Sequence, residues 1–189
     1  MKEQLQKDFE NTIRNLSLSQ KDIEIKKFYL DNFINKGFPN RKEEDWKFSD
    51  LNQIIKKNIG ELSFYSDYTS TNKVDTSAFV DGLEHNKIVF INGRIEKIDF
   101  DYEKKDQIEI IDQSETINKF NNNSSLSDLN SAFTNKSFKI VVKEGYQLTK
   151  PLIIYHTTNS KIWSKNINLR LNFELYENSS LRLIDLFRD

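Results

Sequence analysis

Few residues in this chain have the types and spacing needed for chemistry. It has no cysteine, which removes disulfides, thiolate metal sites and cysteine nucleophiles together. The two histidines, His85 and His156, are too isolated in sequence to read as a metal site. No Gly-rich phosphate loop and no nucleophile-elbow motif occurs. One pair of carboxylates stands out in the C-terminal part, Glu174 on an alternating strand and Asp185 on the next. Carboxylates on adjacent coils with separated pKa values would suit acid–base cleavage of a polysaccharide. Glu174 falls at an outward position, whereas Asp185 breaks the alternation of its own strand, so its facing stays open. His156 ends an apolar run and reads as a structural or surface histidine. No catalytic, cofactor-binding or metal-ligating residue is assigned.

The elements that must position these residues begin with composition. At 189 residues, with 37% hydrophobic and 30% charged, the chain can bury a core while keeping a large polar surface. Its 28 basic residues balance 29 acidic ones, so no net field argues for nucleic acid or an anionic membrane. The charged N-terminus is neither a signal peptide nor an anchor, and no run approaches the roughly 18 apolar residues of a membrane span. With no cysteine to protect, a reducing, cytoplasmic setting is expected. The Asn-x-Ser matches at Asn15, Asn123, Asn135 and Asn178 are expected by chance in so Asn-rich a chain.

Leu5, Phe9, Ile13 and Leu16 predict a first amphipathic helix. A second starts at a Ser19 cap, presents Ile23, Phe28, Leu30, Phe33 and Ile34, and closes at Gly37, with Pro39 preventing its continuation. The simplest packing is an antiparallel pair. The segment from Phe38 to Leu51 then places Trp46 and Phe48 among charges, which predicts a hydrophobic plug at a turn, followed by a short helix capped at Ser49. Residues 62–86 read as an irregular connection. Asn92-Gly93 predicts a tight hairpin within an apolar run, and Ile108 to Ile111 a further strand. Asn121 to Ser125 reads as a loop, and Leu126 to Phe133 as a helix capped near Ser125. From Ser137 the period becomes two, with turns at Glu144-Gly145 and Glu177 to Ser180. Short strands without intervening helices fit either a sandwich or a parallel solenoid.

Three segments together resemble one family, the SufB/SufD scaffolds of iron–sulfur cluster assembly, most closely its SufD branch. Glu43-Glu44-Asp45-Trp46-Lys47-Phe48-Ser49-Asp50-Leu51, after Phe38-Pro39, is similar to the family's N-terminal Trp-Lys-aromatic pattern. Ile88 to Arg94 resembles its strand ending in Asn-Gly-Arg. Leu129 to Phe133, followed by Phe138 to Val142 and Lys150 to Ile154, is similar to the family's entry into its β-helix. Where the family usually has a Gly before that first strand, this chain has Asn135-Lys136, which Asn tolerates by accepting positive φ.

The resemblance implies an α+β fold, with a helical region over 1–60, a mixed connecting region over 61–136, and the first coils of a right-handed parallel β-helix over 137–189. It implies a non-enzymatic scaffold working with SufB-like and SufC-like (ATPase) partners. The iron–sulfur cluster is formed transiently by the full complex, and no cofactor-binding residue is carried onto this chain. Family members continue further, so an N-terminal portion of such a scaffold is expected. The 53 residues from Ser137 to Asp189 supply fewer than about three coils at roughly 20 or more residues each. Two other functions are open: a β-helix enzyme acting on polysaccharide, and a free-standing protein-binding module.

Overall fold

The computed structural model describes residues 2–16, 18–58, 63–64, 79–113, 124–158 and 165–188. Among them are four α-helices and seven strands. The helices are α1 (Lys2–Arg14), α2 (Gln20–Lys36), α3 (Leu51–Asn58) and α4 (Ser125–Phe133). The strands are β1 (Asn86–Ile91), β2 (Arg94–Asp99), β3 (Ile108–Asp112), β4 (Lys136–Val142), β5 (Leu152–Thr157), β6 (Leu169–Leu175) and β7 (Leu183–Arg188). No helix among the described residues is long and apolar enough to cross a membrane. The chain folds as two units, one containing α1–α4 and the start of β6, the other containing the remaining strands.

In the helical unit, Ser19 caps α2 by accepting the Asp22 amide, and Gly37 ends it at φ 74°, its amide donating to the Phe33 carbonyl at 2.7 Å. A left-handed residue there suits glycine. The Cβ missing from Gly37 would meet nothing within 4 Å, so conformation rather than space explains the residue type. The expected α1–α2 pair gives way to a different arrangement: α2 packs chiefly along α4. Ala132 on α4 is fully buried, and a small side chain lets helix axes approach closely. The buried face of α2 is Ile25, Lys26, Tyr29, Leu30 and Phe33, while Phe28 is exposed. On α1, Leu5, Phe9 and Thr12 are buried, and the helix ends before Leu16.

Trp46 and Phe48 do not form the expected hydrophobic plug. Trp46 sits half-buried in a 3₁₀ turn, Glu44–Trp46, and Phe48 is 92% exposed. The turn closes on itself, with Trp46 N donating to Glu43 O and Ser49 N to Trp46 O, so it needs no aromatic anchor. Phe38 is buried instead, edge-on to Phe33 at 5.0 Å. Replacing Phe48 by Ser should change stability by less than about 0.5 kcal/mol, whereas Phe38→Ala should cost about 3 kcal/mol or more in urea denaturation. The cap of α3 also moves by one residue: Asp50, not Ser49, accepts the Gln53 amide through its carboxylate at 3.0 Å. Ser124 caps α4 by accepting the Leu126 amide. The Asn121 to Asn123 part of the expected loop, and most of the 62–86 connection, lie outside the described residues. Asn135 takes no positive φ; it is buried in an ordinary conformation, so the missing glycine is not replaced by a left-handed asparagine.

The strand unit holds two sheets, ordered β2-β1-β5-β7 and β3-β4-β6. The predicted hairpin forms, with Asn92 at φ 51° and Gly93 at φ 80° joining antiparallel β1 and β2. Two left-handed residues in succession match the right-handed twist of the paired strands. β5 runs parallel to both β1 and β7, so that Asn86, Leu152 and Leu183 lie level. In the other sheet β3 is antiparallel to β4. β6 runs parallel to β4, because Tyr176 N, just past the end of β6, donates to Val142 O at the end of β4.

From β4 onward the chain alternates between the sheets, and each strand pairs with the one two further along. The turns are stacked in the same way. Gly145, at φ 71°, donates its amide to Glu177 O, and Ser180 N donates to Tyr146 O, with Asn178 at φ 56°. Phe90 of one sheet meets Phe138 of the other at 5.7 Å. Val89, Ile153 and Tyr155 point the opposite way and pack under Phe79 and Val80.

Candidate functional site

Polar groups buried inside a fold demand partners, and unusual ones mark candidate sites. Among the described residues, three places are considered in turn, each within a single unit. The most heavily hydrogen-bonded is Glu103, in the turn between β2 and β3. Its own amide closes that turn on Phe100 O at 2.9 Å. The side chain is directed inward, and its carboxylate accepts five hydrogen bonds. Oε1 receives Asn86 Nδ2 at 2.7 Å, Thr149 Oγ1 at 2.9 Å and Lys150 N at 3.1 Å. Oε2 receives the Tyr146 hydroxyl at 2.7 Å and Thr149 N at 3.2 Å.

The donors come from the first residue of β1 and from the β4–β5 connection, so one carboxylate ties three stretches of chain together. Burial by itself would raise the Glu103 pKa, but hydrogen bonds from Asn86, Tyr146, Lys150 and Thr149 outweigh it and hold the carboxyl below its usual range. With its acceptor capacity filled, this carboxylate is a clasp and has no lone pair directed at a substrate.

The second place is Lys26, whose residue is only 2% exposed. Its ammonium donates to Thr134 O at 2.5 Å, with Ala132 O at 3.5 Å, at the C-terminal end of α4. Cations are favoured there by the uncapped carbonyls. Burial nevertheless lowers the Lys26 pKa to about 8, Asp22 pulling it partly back up and Arg170 adding a smaller downward push.

Lys26 couples folding to pH. Its folded pKa lies below the unfolded value of about 10.4, so the folded state binds fewer protons between those limits and stability rises with pH there. Relative to Lys26→Met, the native chain should gain on the order of 3 kcal/mol as pH rises from about 8 to beyond 10. Urea denaturation of both proteins across that range checks this. A constant difference would place the amine near its ordinary pKa.

The third place is His156. Its ring lies between Phe90, at 5.3 Å and 8°, and Phe187, at 4.6 Å and 12°. Nε2 is 2.8 Å from Asp185 Oδ1, off the direction of a well-formed hydrogen bond, so this is an ion pair only when the ring is protonated. Burial lowers the His156 pKa, and Asp185 draws it partly back. The ring therefore favours its neutral form.

His85 is separately engaged, with Nδ1 at 2.6 Å from Leu83 O and Nε2 at 2.9 Å from the Tyr155 hydroxyl. A carbonyl can only accept, so the proton belongs on Nδ1 and Tyr155 donates to Nε2. Among the described residues, no three His, Asp or Glu side chains converge as metal ligands.

The two carboxylates weighed for glycan cleavage have different companions: Glu174 pairs with Lys139, and Asp185 lies against His156. Glu103 and Lys26 were missed by sequence reasoning. Glu103 lies in Asp101-Tyr102-Glu103-Lys104-Lys105-Asp106, which reads as a solvated loop. Lys26 did leave a signal, since it precedes Tyr29 and Leu30 by three and four residues on one helical face. Neither a protein-family model nor any curated protein matches the chain.

Proposed function

We propose that this chain is a non-enzymatic, SufD-like scaffold subunit of iron–sulfur cluster assembly, acting with SufB-like and SufC-like (ATPase) proteins. The observation that carries this reading is the parallel, level stacking of β1, β5 and β7, with the chain crossing to the other sheet between β5 and β7. This follows a helical region in the chain order expected for a SufD-like protein. A polypeptide that returns to each sheet one strand later builds coils, and the turn at Gly145 stacked on the turn at Asn178 repeats the pattern. We read β4 to β7, over 137–189, as the first coils of a parallel β-helix, with β1 of the connecting region laid beside them.

The described polar clusters suit a scaffold. Glu103 and Lys26 are consumed in holding the fold, and the cluster itself is cargo of the assembled complex. The test is retrieval of the tagged chain from its native cells under low salt. SufB-like and SufC-like proteins should co-elute with it through gel filtration. A folded chain that elutes without either, together with unchanged iron–sulfur enzyme activities in cells lacking it, would overturn the reading.

A further inference from the structure

The inward faces of the two sheets, which meet at Phe90 and Phe138, extend to β2 and β3. Ile98 of β2 is level with Ile88, and Ile88 shares the face of Phe90, two residues on. In the other sheet Ile108 is level with Val142 and Ile110 with Ile140, on the face of Phe138. Ile88, Ile140 and Val142 are buried, yet Ile98 is 48% exposed and Ile108 and Ile110 are half-buried. With Phe100, these three isoleucines line a cleft of about 350 Å³. The cleft lies inside the strand unit, where β2 and β3 stand at the ends of their sheets opposite β7 and β6. Its wall is also firmly held. Phe100 O accepts the Glu103 amide at 2.9 Å, Lys104 N donates to the Tyr146 hydroxyl at 3.0 Å, and Lys104 O accepts the Gln107 amide at 3.0 Å. With the Glu103 carboxylate clasped as well, the turn that joins β2 to β3 is fixed in advance, so a ligand need not order it.

The remaining lining is charged. Asp99 is already engaged: Oδ1 accepts the Asp101 amide at 3.3 Å, and Oδ2 lies 3.5 Å from Lys87 Nζ and 3.7 Å from Lys97 Nζ. Asp101, Lys104 and Lys105 are exposed lining residues, and among the described residues none of their three side chains is ion-paired. Two uncommitted ammonium groups against one uncommitted carboxylate give the mouth a positive balance, in a chain whose net charge is −1. An apolar floor below a cationic rim is complementary to an anion carried on an apolar body.

We propose that the β2–β3 cleft binds a small organic anion, its carboxylate held by Lys104 and Lys105 and its compact apolar body seated among Ile98, Phe100, Ile108 and Ile110. At the roughly 30 Å³ that a molecule takes in liquid water, the cleft has room for about a dozen non-hydrogen atoms. Apolar contact supplies affinity for the body, and the two lysines select the sign of the head group. A cationic head would meet both ammonium groups and is disfavoured. The inference stands on the geometry and charge of this cleft, independently of the scaffold reading.

The test titrates the whole chain at low salt with 2-naphthoate, neutral 2-naphthamide and cationic 2-naphthylmethylamine, followed by amide chemical shifts in NMR spectra. Saturable binding of naphthoate is expected, with shifts concentrated over residues 98–110, and with the other two probes weaker by about threefold or more. Lys104→Gln combined with Lys105→Gln should weaken naphthoate by about threefold or more and leave naphthamide unchanged. Ile98→Ser should weaken naphthoate and naphthamide alike. All three positions are exposed, and unchanged amide shifts in the helical unit of each variant show that the fold is kept. No saturable binding, equal binding of the three probes, or a preference for the amine would overturn the proposal. So would shifts centred elsewhere, or a naphthoate affinity that the paired lysine substitutions leave unchanged.

Discussion

Replacing Glu103 by alanine is expected to lower the unfolding free energy of the strand unit by on the order of 3 kcal/mol. The size follows from what is left behind. Asn86 Nδ2, the Tyr146 and Thr149 hydroxyls and the Thr149 and Lys150 amides all donate to this one carboxylate. Asn86 is fully buried, whereas the other donors are only part-buried or, at Thr149, exposed, and the Asn86 amide and Thr149 hydroxyl each keep a second acceptor in Lys150 O and Tyr102 O. A stranded donor costs on the order of 1–3 kcal/mol where buried and less where water enters. Glu103→Gln keeps the shape but turns an amide NH₂ toward donors, and should lose roughly 2 kcal/mol or more.

Acid separates the charge from the shape. The folded pKa of Glu103 is depressed, so its contribution is complete above the unfolded value of about 4.3 and disappears as pH falls through the folded value. The difference between native chain and Glu103→Gln should therefore be flat at neutral pH and shrink below pH ~4. Urea denaturation, with hydrogen exchange of the β1 and β5 amides, reads this directly. A neutral-pH loss below about 0.5 kcal/mol for Glu103→Ala would show that the clasp does not hold the unit together.

Phe133→Ala should be as damaging in the helical unit, by about 3–5 kcal/mol. Phe133 is the last residue of α4 and almost fully buried. Its ring stacks on Phe64 at 3.6 Å and 7°, and meets Phe9 of α1 edge-on at 6.0 Å. Removing it leaves a cavity between α1, α4 and the Phe64 segment, and forfeits two aromatic contacts beyond the area term. Phe133→Leu, which keeps much of the volume, should lose only about 1–2 kcal/mol. Hydrogen exchange should accelerate together in α1 and α4 of the alanine variant; acceleration in α4 alone would mean that α1 is held by other contacts.

The sequence by itself determined the features that depend on neighbouring residues. Ser19 caps α2 and Gly37 ends it; Asn92-Gly93 turns the β1–β2 hairpin; Gly145 and Asn178 turn the later strands. In each case a side-chain acceptor or a left-handed backbone is satisfied within a few residues. Period-two alternation likewise marked β4 and β6 because successive strand side chains point to opposite faces. Only the tertiary structure decided which aromatics are buried. Trp46 was the sequence's strongest candidate, yet its turn is satisfied locally, while Phe38 and Phe133 find distant partners. It also decided that α2 packs on α4 rather than mainly on α1. The fate of charged residues was equally hidden. Glu103 looks like its solvated neighbours until the β4–β5 connection brings four of its five donors to it, and Asp185 has no legible facing until β7 pairs with β5. Local rules act through a few bonds of chain, but burial of a charge depends on which segments arrive beside it, and that is set by long-range pairing.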